Sequence, residues 1–144
     1  MTLPKRSYMK VTGLALACSS LLFSCAPKEV PQVNLIPKPV HIEVFGNDQS
    51  GTIRYVVDES FNGGNPEGYA LNVTKKGIEL RAASKSGLFY GEQTLRQLYT
   101  SKGIPCVSIQ DNPRFPYRGL HLDVSRHFFP KEEVMKLLNV MSYY

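Results

Sequence analysis

The side chains most able to do chemistry lie around one short apolar segment, Gly119 to Val124. Its alternating apolar residues predict a β-strand, and Arg118 comes directly before it. Four polar side chains lie at its end and in the loop that follows: Asp123, Ser125, Arg126 and His127. Asp123 and His127 could each bind a metal, but two ligands in one loop are too few for a site. These residues can also cap the loop and pair with one another, and we therefore predict no metal and no catalytic role for them.

Arg118 is the strongest candidate for ligand contact. In a strand it shares one face with Leu120 and Leu122, and burying a cation between leucines is costly unless something pairs with it. The partner could be a carboxylate or the hydroxyl groups of a ligand, because the guanidinium offers five donors in fixed directions. The residues alone leave three possibilities open: ligand contact, a structural ion pair, or a surface arginine.

A helix is predicted directly after this strand. Pro130 suits the start of a helix, and Glu132 and Glu133 favour its first turn. One apolar stripe then recurs at helical spacing: Val134, Leu137, Leu138 and Met141. A strand and a helix form a βα unit, which needs neighbouring strands to satisfy its backbone. No stop signal follows the stripe before Tyr144, so we expect the chain to be the N-terminal part of a longer protein.

The region before this unit predicts an α+β domain over residues 33–112. A helix begins at Ser84 or Ser86, follows the apolar positions from Leu88 to Tyr99, and ends near Lys102 and Gly103. Five segments alternate as half-buried strands do: 40–44, 53–57, 69–73, 78–82 and 104–109. We predict an antiparallel sheet with the helix on one face.

The charge of the chain is concentrated near its start. The net charge is +5, but Lys5, Arg6 and Lys10 precede an apolar run from Val11 to Phe23, as in a secretory signal peptide. We assign residues 1–24 to this signal. The remaining excess of positive charge is small, so we expect no nucleic-acid partner.

Cys25 follows the apolar run and a small residue, which resembles the cleavage box of a bacterial lipoprotein. We predict that Cys25 is lipidated, that residues 25–32 are a tether, and that the protein is exported and anchored to a membrane, in the periplasm or at the cell surface. Alternatively, Cys25 is a small apolar residue near an ordinary cleavage site. Cys106 lies in an apolar segment, where we predict a buried thiol.

Two stretches resemble one enzyme family. The sequence from Arg114 to Pro130 closely resembles the opening of the catalytic barrel in glycoside hydrolase family 20, the β-N-acetylhexosaminidases. Residues Leu35 to Pro39 and Ser86 to Leu98 resemble the small α+β domain that precedes this barrel. The resemblance implies that residues 113–144 are the first unit of a truncated (β/α)8 TIM barrel.

The resemblance also implies an activity. Members remove terminal β-linked N-acetylglucosamine or N-acetylgalactosamine from glycans with retention, and the 2-acetamido group of the substrate acts as the nucleophile. An aspartate orients that group and an adjacent glutamate is the general acid, without a metal or organic cofactor. By position, Arg118 matches the arginine that binds sugar hydroxyls.

The catalytic aspartate–glutamate pair lies several barrel strands further on in the family, beyond Tyr144. Glu132 and Glu133 open an outer helix, and Asp58 and Glu59 belong to the other domain, so neither pair replaces it. We expect no catalytic residue in these 144 residues, and no activity from them alone. The alternative is a non-catalytic, surface-anchored glycan-binding lipoprotein built on the α+β domain, although such a module would have no use for an unpaired barrel strand.

Overall fold

The computed structural model describes residues 30–49, 51–101 and 103–144. Within these residues, five strands form one sheet in the order β1-β5-β3-β4-β2. The strands are β1 (His41–Gln49), β2 (Ile53–Val57), β3 (Tyr69–Thr74), β4 (Gly77–Ala82) and β5 (Ile104–Asp111). Helix α1 is Lys85–Leu98 and helix α2 is Lys131–Tyr143, and a short 3-10 helix spans Phe61–Gly64. We call the five strands and α1 the sheet unit, and residues 112–144 the C-terminal segment.

The sheet is mixed, which corrects the predicted antiparallel arrangement. The strands β3, β4, β5 and β1 pair antiparallel, but β2 runs parallel to β4. The connection 58–68 carries the chain from β2 to β3, and a tight hairpin then returns β4 into the space between them. The strand β4 therefore runs in the same direction as the edge strand β2, and these two neighbours pair parallel.

Helix α1 begins as the sequence predicts, but it ends earlier. The Ser84 side chain accepts a hydrogen bond from the Ser86 N–H at 3.0 Å, which caps the first turn. The helix stops at Leu98 because Tyr99 adopts an extended conformation. A turn between Thr100 and Gly103, closed by backbone hydrogen bonds of 3.1 Å, then leads into β5.

The core lies between one sheet face and α1. Every second residue of β3 and β4 is buried there, as alternation predicts. The core also takes in α1 and β5, and its largest fully buried side chains are Leu71, Val73, Leu80, Leu98, Val107 and Ile109. The thiol of Cys106 is free and buried, as predicted.

Two glycines let α1 approach the sheet closely. A Cβ atom at Gly91 would lie 2.3 Å from Leu80 Cδ1, and one at Gly87 would lie 2.4 Å from the Gly68 carbonyl oxygen. Both distances are far below van der Waals contact. A glycine inside a helix costs stability relative to alanine, so close packing is the physical reason for these two.

The C-terminal segment differs from its prediction in two respects. Residues 119–124 form no strand, because none of the described strands lies beside them to supply backbone partners. The helix after Pro130 is confirmed, but its predicted stripe is not buried: Leu138 is 50% and Met141 41% exposed, and Val134 and Leu137 are half-buried. None of the α2 side chains is buried.

No helix in the described part of the chain is long and apolar enough to cross a membrane. The predicted signal peptide and Cys25 lie outside the described residues.

Candidate functional site

The candidate site lies where the connection before β3 meets the start of α1. The Pro66 carbonyl oxygen accepts hydrogen bonds from the Gly87 N–H at 3.1 Å and from the Ser84 hydroxyl at 2.5 Å. The Asn65 side chain accepts a hydrogen bond from the Glu67 N–H at 3.0 Å. These contacts fix the backbone of Glu67 against the first turn of α1.

Arg118 docks onto this corner of the sheet unit. Its Nη1 and Nη2 atoms donate to the two carboxylate oxygens of Glu67, each at 3.2 Å, which is the bidentate geometry that suits arginine and carboxylate. Nη1 also donates to the Phe115 carbonyl oxygen at 2.6 Å. The Arg118 Cζ atom lies 5.3 Å from the centre of the Tyr90 ring, within cation–π range.

Tyr90 joins the two charged groups. Its hydroxyl donates to Glu67 Oε1 at 3.0 Å, so that oxygen accepts from both Tyr90 and Arg118. The hydrogen bonds from Arg118 are the main reason that the pKa of Glu67 is lowered. Partial burial, helped by the nearby carboxylate, raises the pKa of Tyr90. At neutral pH the corner therefore holds a charged pair beside a neutral phenol.

Arg118 is not held between leucines, as the strand prediction implied. Its side chain is 40% exposed and that of Glu67 is 26% exposed, and Leu120 faces solvent. Of the three possibilities left open by the sequence, an ion pair is present. Contact of Arg118 with a sugar stays a prediction.

Sequence reasoning missed Glu67 and Tyr90. Glu67 lies in a connection rich in glycine and asparagine, where no periodic pattern predicts which way a side chain points. Tyr90 lies inside the stretch that resembles the family, but off the apolar stripe of α1. A pairing 51 residues apart in sequence leaves no local signal.

The second polar cluster has a structural role. Asp123 Oδ1 accepts hydrogen bonds from the N–H groups of Ser125 at 2.9 Å and Arg126 at 3.3 Å, and Asp123 Oδ2 pairs with the Arg126 guanidinium. His127 packs edge-on against Phe129 with ring centres 5.0 Å apart. Asp123 thus caps the loop, which is the structural one of the two roles that the sequence allowed, a metal ligand being the other. Within the described residues, no three His, Cys, Asp or Glu side chains are grouped as metal ligands would be.

The chain matches two family models. Residues 38–112, just over half of the chain, match domain 2 of glycosyl hydrolase family 20, and residues 115–144 match the catalytic domain of the same family. The site corner therefore joins the two matched regions, because Glu67 and Tyr90 lie in the first and Arg118 in the second. The chain belongs to glycoside hydrolase family 20.

Relatives agree with this assignment. A β-hexosaminidase of Akkermansia muciniphila is 35% identical over 129 residues, which cover 86% of this chain and 26% of that protein. A β-hexosaminidase of Porphyromonas gingivalis is 35% identical over 114 residues, covering 72% of this chain and 14% of that protein. The chain thus spans about a quarter or less of the length of these relatives.

A solved structure is similar in fold over much of the chain. The exo-β-N-acetylglucosaminidase of Vibrio harveyi in complex with N-acetylglucosamine aligns with a TM-score of 0.62 at 29% identity, over 76% of this chain and 24% of the Vibrio chain.

Proposed function

We propose that the whole protein containing this chain is an exo-β-N-acetylhexosaminidase. It removes terminal β-linked N-acetylglucosamine or N-acetylgalactosamine from glycans by the retaining, substrate-assisted route of its family. The observation that carries this proposal is the match to both family domains in their order along the chain. No cofactor is needed for this chemistry.

The proposed domains are residues 33–112, which form the α+β domain, and residues 113–144, which are the first βα unit of a (β/α)8 barrel. A complete barrel takes about 250 residues, far more than this segment holds. Two observations support a longer protein: the chain spans 26% of its Akkermansia relative, and the apolar stripe of α2 is open to solvent. In this proposal a later strand and helix cover that stripe.

The catalytic aspartate and glutamate are proposed to lie in the remainder of the barrel. The acidic pairs within these residues do not suit the reaction. Asp58 accepts hydrogen bonds from the backbone and hydroxyl of Ser60, at 3.1 and 2.6 Å, and Glu132 and Glu133 lie exposed in the first turn of α2. In the proposed enzyme, Arg118 binds sugar hydroxyls while the carboxylate pair does the chemistry.

A chromogenic N-acetyl-β-glucosaminide tests this function. The protein expressed from its complete gene is expected to release the chromophore, and the 144-residue chain is expected to release none above the blank. Glycan binding without any turnover by the complete protein would favour the glycan-binding lipoprotein instead. Turnover by the 144-residue chain would refute the proposed location of the catalytic pair.

The location proposed for the protein is a bacterial membrane surface, held by a lipid on Cys25 after removal of residues 1–24. Each buried methylene of an acyl chain contributes about 0.8 kcal/mol to membrane binding. Intact-mass measurement of protein from the membrane fraction tests this. A mature chain that begins at an acylated Cys25 is expected, and an unmodified Cys25 would refute the anchor.

A further inference from the structure

We propose that Glu67 and Tyr90 of the α+β domain are positioning residues for Arg118, holding its guanidinium so that one edge stays open for two neighbouring oxygens of the substrate. The inference rests on the proposed function, because it takes Arg118 to be the sugar-binding arginine. It gives the small domain a part in substrate binding that acts through Arg118 rather than by touching the sugar.

The first argument is the geometry of the guanidinium. The group is planar and its five N–H bonds point in fixed directions. Glu67 takes one N–H from each Nη atom, and the second N–H of Nη1 points to the Phe115 carbonyl oxygen. Among the hydrogen bonds of the described residues given above, this leaves the Nε–H and the second N–H of Nη2, and the Tyr90 hydroxyl also interacts with the guanidinium. Those two bonds lie side by side on the same edge of the plane.

That open edge has a definite ligand preference. Two parallel donors match two acceptor oxygens held a short distance apart, and adjacent hydroxyls on a sugar ring provide such a pair. The Arg118 side chain is 40% exposed, so a ligand can reach it without displacing Glu67.

The second argument is that Arg118 is held from three directions. Glu67 fixes the end of the fork, Phe115 fixes one side, and the Tyr90 ring lies within cation–π distance of the guanidinium carbon. The Tyr90 hydroxyl in turn orients the carboxylate. A free arginine side chain loses rotamer freedom when it binds a ligand, so an arginine held beforehand binds with higher affinity.

The third argument concerns how the holding residues are themselves fixed. Glu67 follows Pro66, whose carbonyl oxygen is bonded to the capped start of α1, and Tyr90 lies one turn further along the same helix. Sites supported by regular elements hold their geometry better than sites on free loops. An ion pair this exposed adds little stability, so the arrangement is expected to matter more for orientation than for folding.

The test is steady-state kinetics of the protein expressed from its complete gene, using a chromogenic N-acetyl-β-glucosaminide. Glu67→Gln keeps the size of the side chain but loses the charge. It is expected to raise KM about tenfold with little change in kcat, as loss of one charge-assisted contact would. Tyr90→Phe keeps the ring and loses the hydroxyl, and a rise in KM of about threefold is expected from one neutral hydrogen bond.

A double-mutant cycle separates positioning from a general structural effect. In an Arg118→Met background, Glu67→Gln is expected to change KM by less than about twofold, because the group it orients is gone. The matched control is Glu79→Gln, which removes a carboxylate paired with Arg54 and Arg81 on the polar face of the sheet. This control is expected to keep the wild-type KM.

The outcomes distinguish the two proposals. A wild-type protein without turnover overturns the proposed function and this inference with it. An active wild type whose Glu67→Gln and Tyr90→Phe variants keep the normal KM overturns this inference alone. An equal rise in KM from Glu67→Gln with and without Arg118 would also overturn it, because the effect would then not act through the arginine.

Discussion

Helices α1 and α2 carry similar apolar stripes but lie in different surroundings. In α1, Leu95 and Leu98 are 3% and 2% exposed, whereas in α2 Leu138 and Met141 are 50% and 41% exposed. The sheet covers the stripe of α1, whereas the described elements leave the stripe of α2 partly open. The comparison teaches that helical spacing identifies which side chains are suited to burial, while burial itself depends on which partner lies within reach.

The sheet unit and the C-terminal segment touch through polar contacts, unlike the apolar contacts within the core. The Gln97 side chain donates to the Tyr143 carbonyl oxygen at 3.2 Å, and the Arg96 guanidinium lies 5.6 Å from the Tyr143 ring. With the Glu67–Arg118 pair, these polar contacts hold the C-terminal segment against α1. They fix orientation with little burial of apolar surface, so the sheet unit is expected to supply most of the stability.

The largest expected effect comes from leucine-to-alanine substitutions in each region. Leu80→Ala empties a fully buried position and is expected to lower the free energy of unfolding by about 3–4 kcal/mol. Leu138→Ala removes the same atoms from an exposed position and is expected to cost less than about 0.5 kcal/mol. Urea unfolding of residues 30–144 measures both.

The same pair of variants in the complete protein sharpens the comparison. If a later part of the barrel covers α2, the cost of Leu138→Ala is expected to rise to about 2–4 kcal/mol there. A cost that stays near zero in the complete protein would show that the stripe remains open and would contradict the proposed barrel packing.

A smaller effect is expected at the junction between α1 and the connection that holds Glu67. Gly87→Ala places a methyl group 2.4 Å from the Gly68 carbonyl oxygen, and backbone cannot move aside as a side-chain tip can. The gain in helix propensity is about 1 kcal/mol, and overpacking is expected to outweigh it, for a net loss of about 1–2 kcal/mol.

Ser86→Ala, at an exposed position beside it, is the control and is expected to change the unfolding free energy by less than about 0.5 kcal/mol. A Gly87→Ala variant more stable than wild type would contradict the close contact between α1 and the Gly68 backbone.

The Glu67–Arg118 ion pair is expected to stabilise the fold at neutral pH and to lose this effect in acid. The pKa of Glu67 is lower in the folded chain than in the unfolded one, chiefly through its hydrogen bonds from Arg118. Its contribution is therefore present above the unfolded pKa of about 4.3 and is lost as the pH falls through the folded pKa. Glu67→Gln is expected to flatten the stability curve below about pH 5 while costing less than about 1 kcal/mol at neutral pH.

Arg118→Met should flatten the same acid limb, since it removes the donor rather than the acceptor. Urea midpoints measured between about pH 3 and pH 7 span the window in which Glu67 titrates. Two single variants with unaltered acid limbs would exclude the ion pair from the folded chain in solution.

The smallest effect is expected at the second arginine of the C-terminal segment. Arg126 pairs with Asp123 within its own loop, and its side chain is 88% exposed. Arg126→Ala is therefore expected to leave the urea midpoint unchanged within error, in contrast to Arg118→Met. A clear loss of stability from Arg126→Ala would remove the distinction between the two arginines.

Much of the sheet unit could be predicted from the sequence because its signals are local. Alternation along β3 and β4 matches their burial, and Ser84 is one of the two serines from which the start of the helix was predicted. The parallel pairing of β2 with β4 was not predicted, since the order of strands depends on contacts between distant residues.

In the candidate site, too, the local feature was predicted and the contacts between distant residues were not. Arg118 stood out because a strand would place its cation in line with Leu120 and Leu122, where burial is costly without a partner. Its partners did not, because Glu67 and Tyr90 come close to it only when the connection before β3 folds onto α1. The predicted strand at 119–124 failed for a related reason: its pattern suits a strand, but the described residues hold no neighbour to pair with it.

The most direct test of the account is a crystal structure of the complete protein with N-acetylglucosamine bound. We expect Arg118 to keep its bidentate pair with Glu67 while its Nε–H and outer Nη2–H lie within about 3.2 Å of two hydroxyl oxygens of the sugar. A sugar bound elsewhere, with the guanidinium turned away from it and still paired with Glu67, would contradict the account.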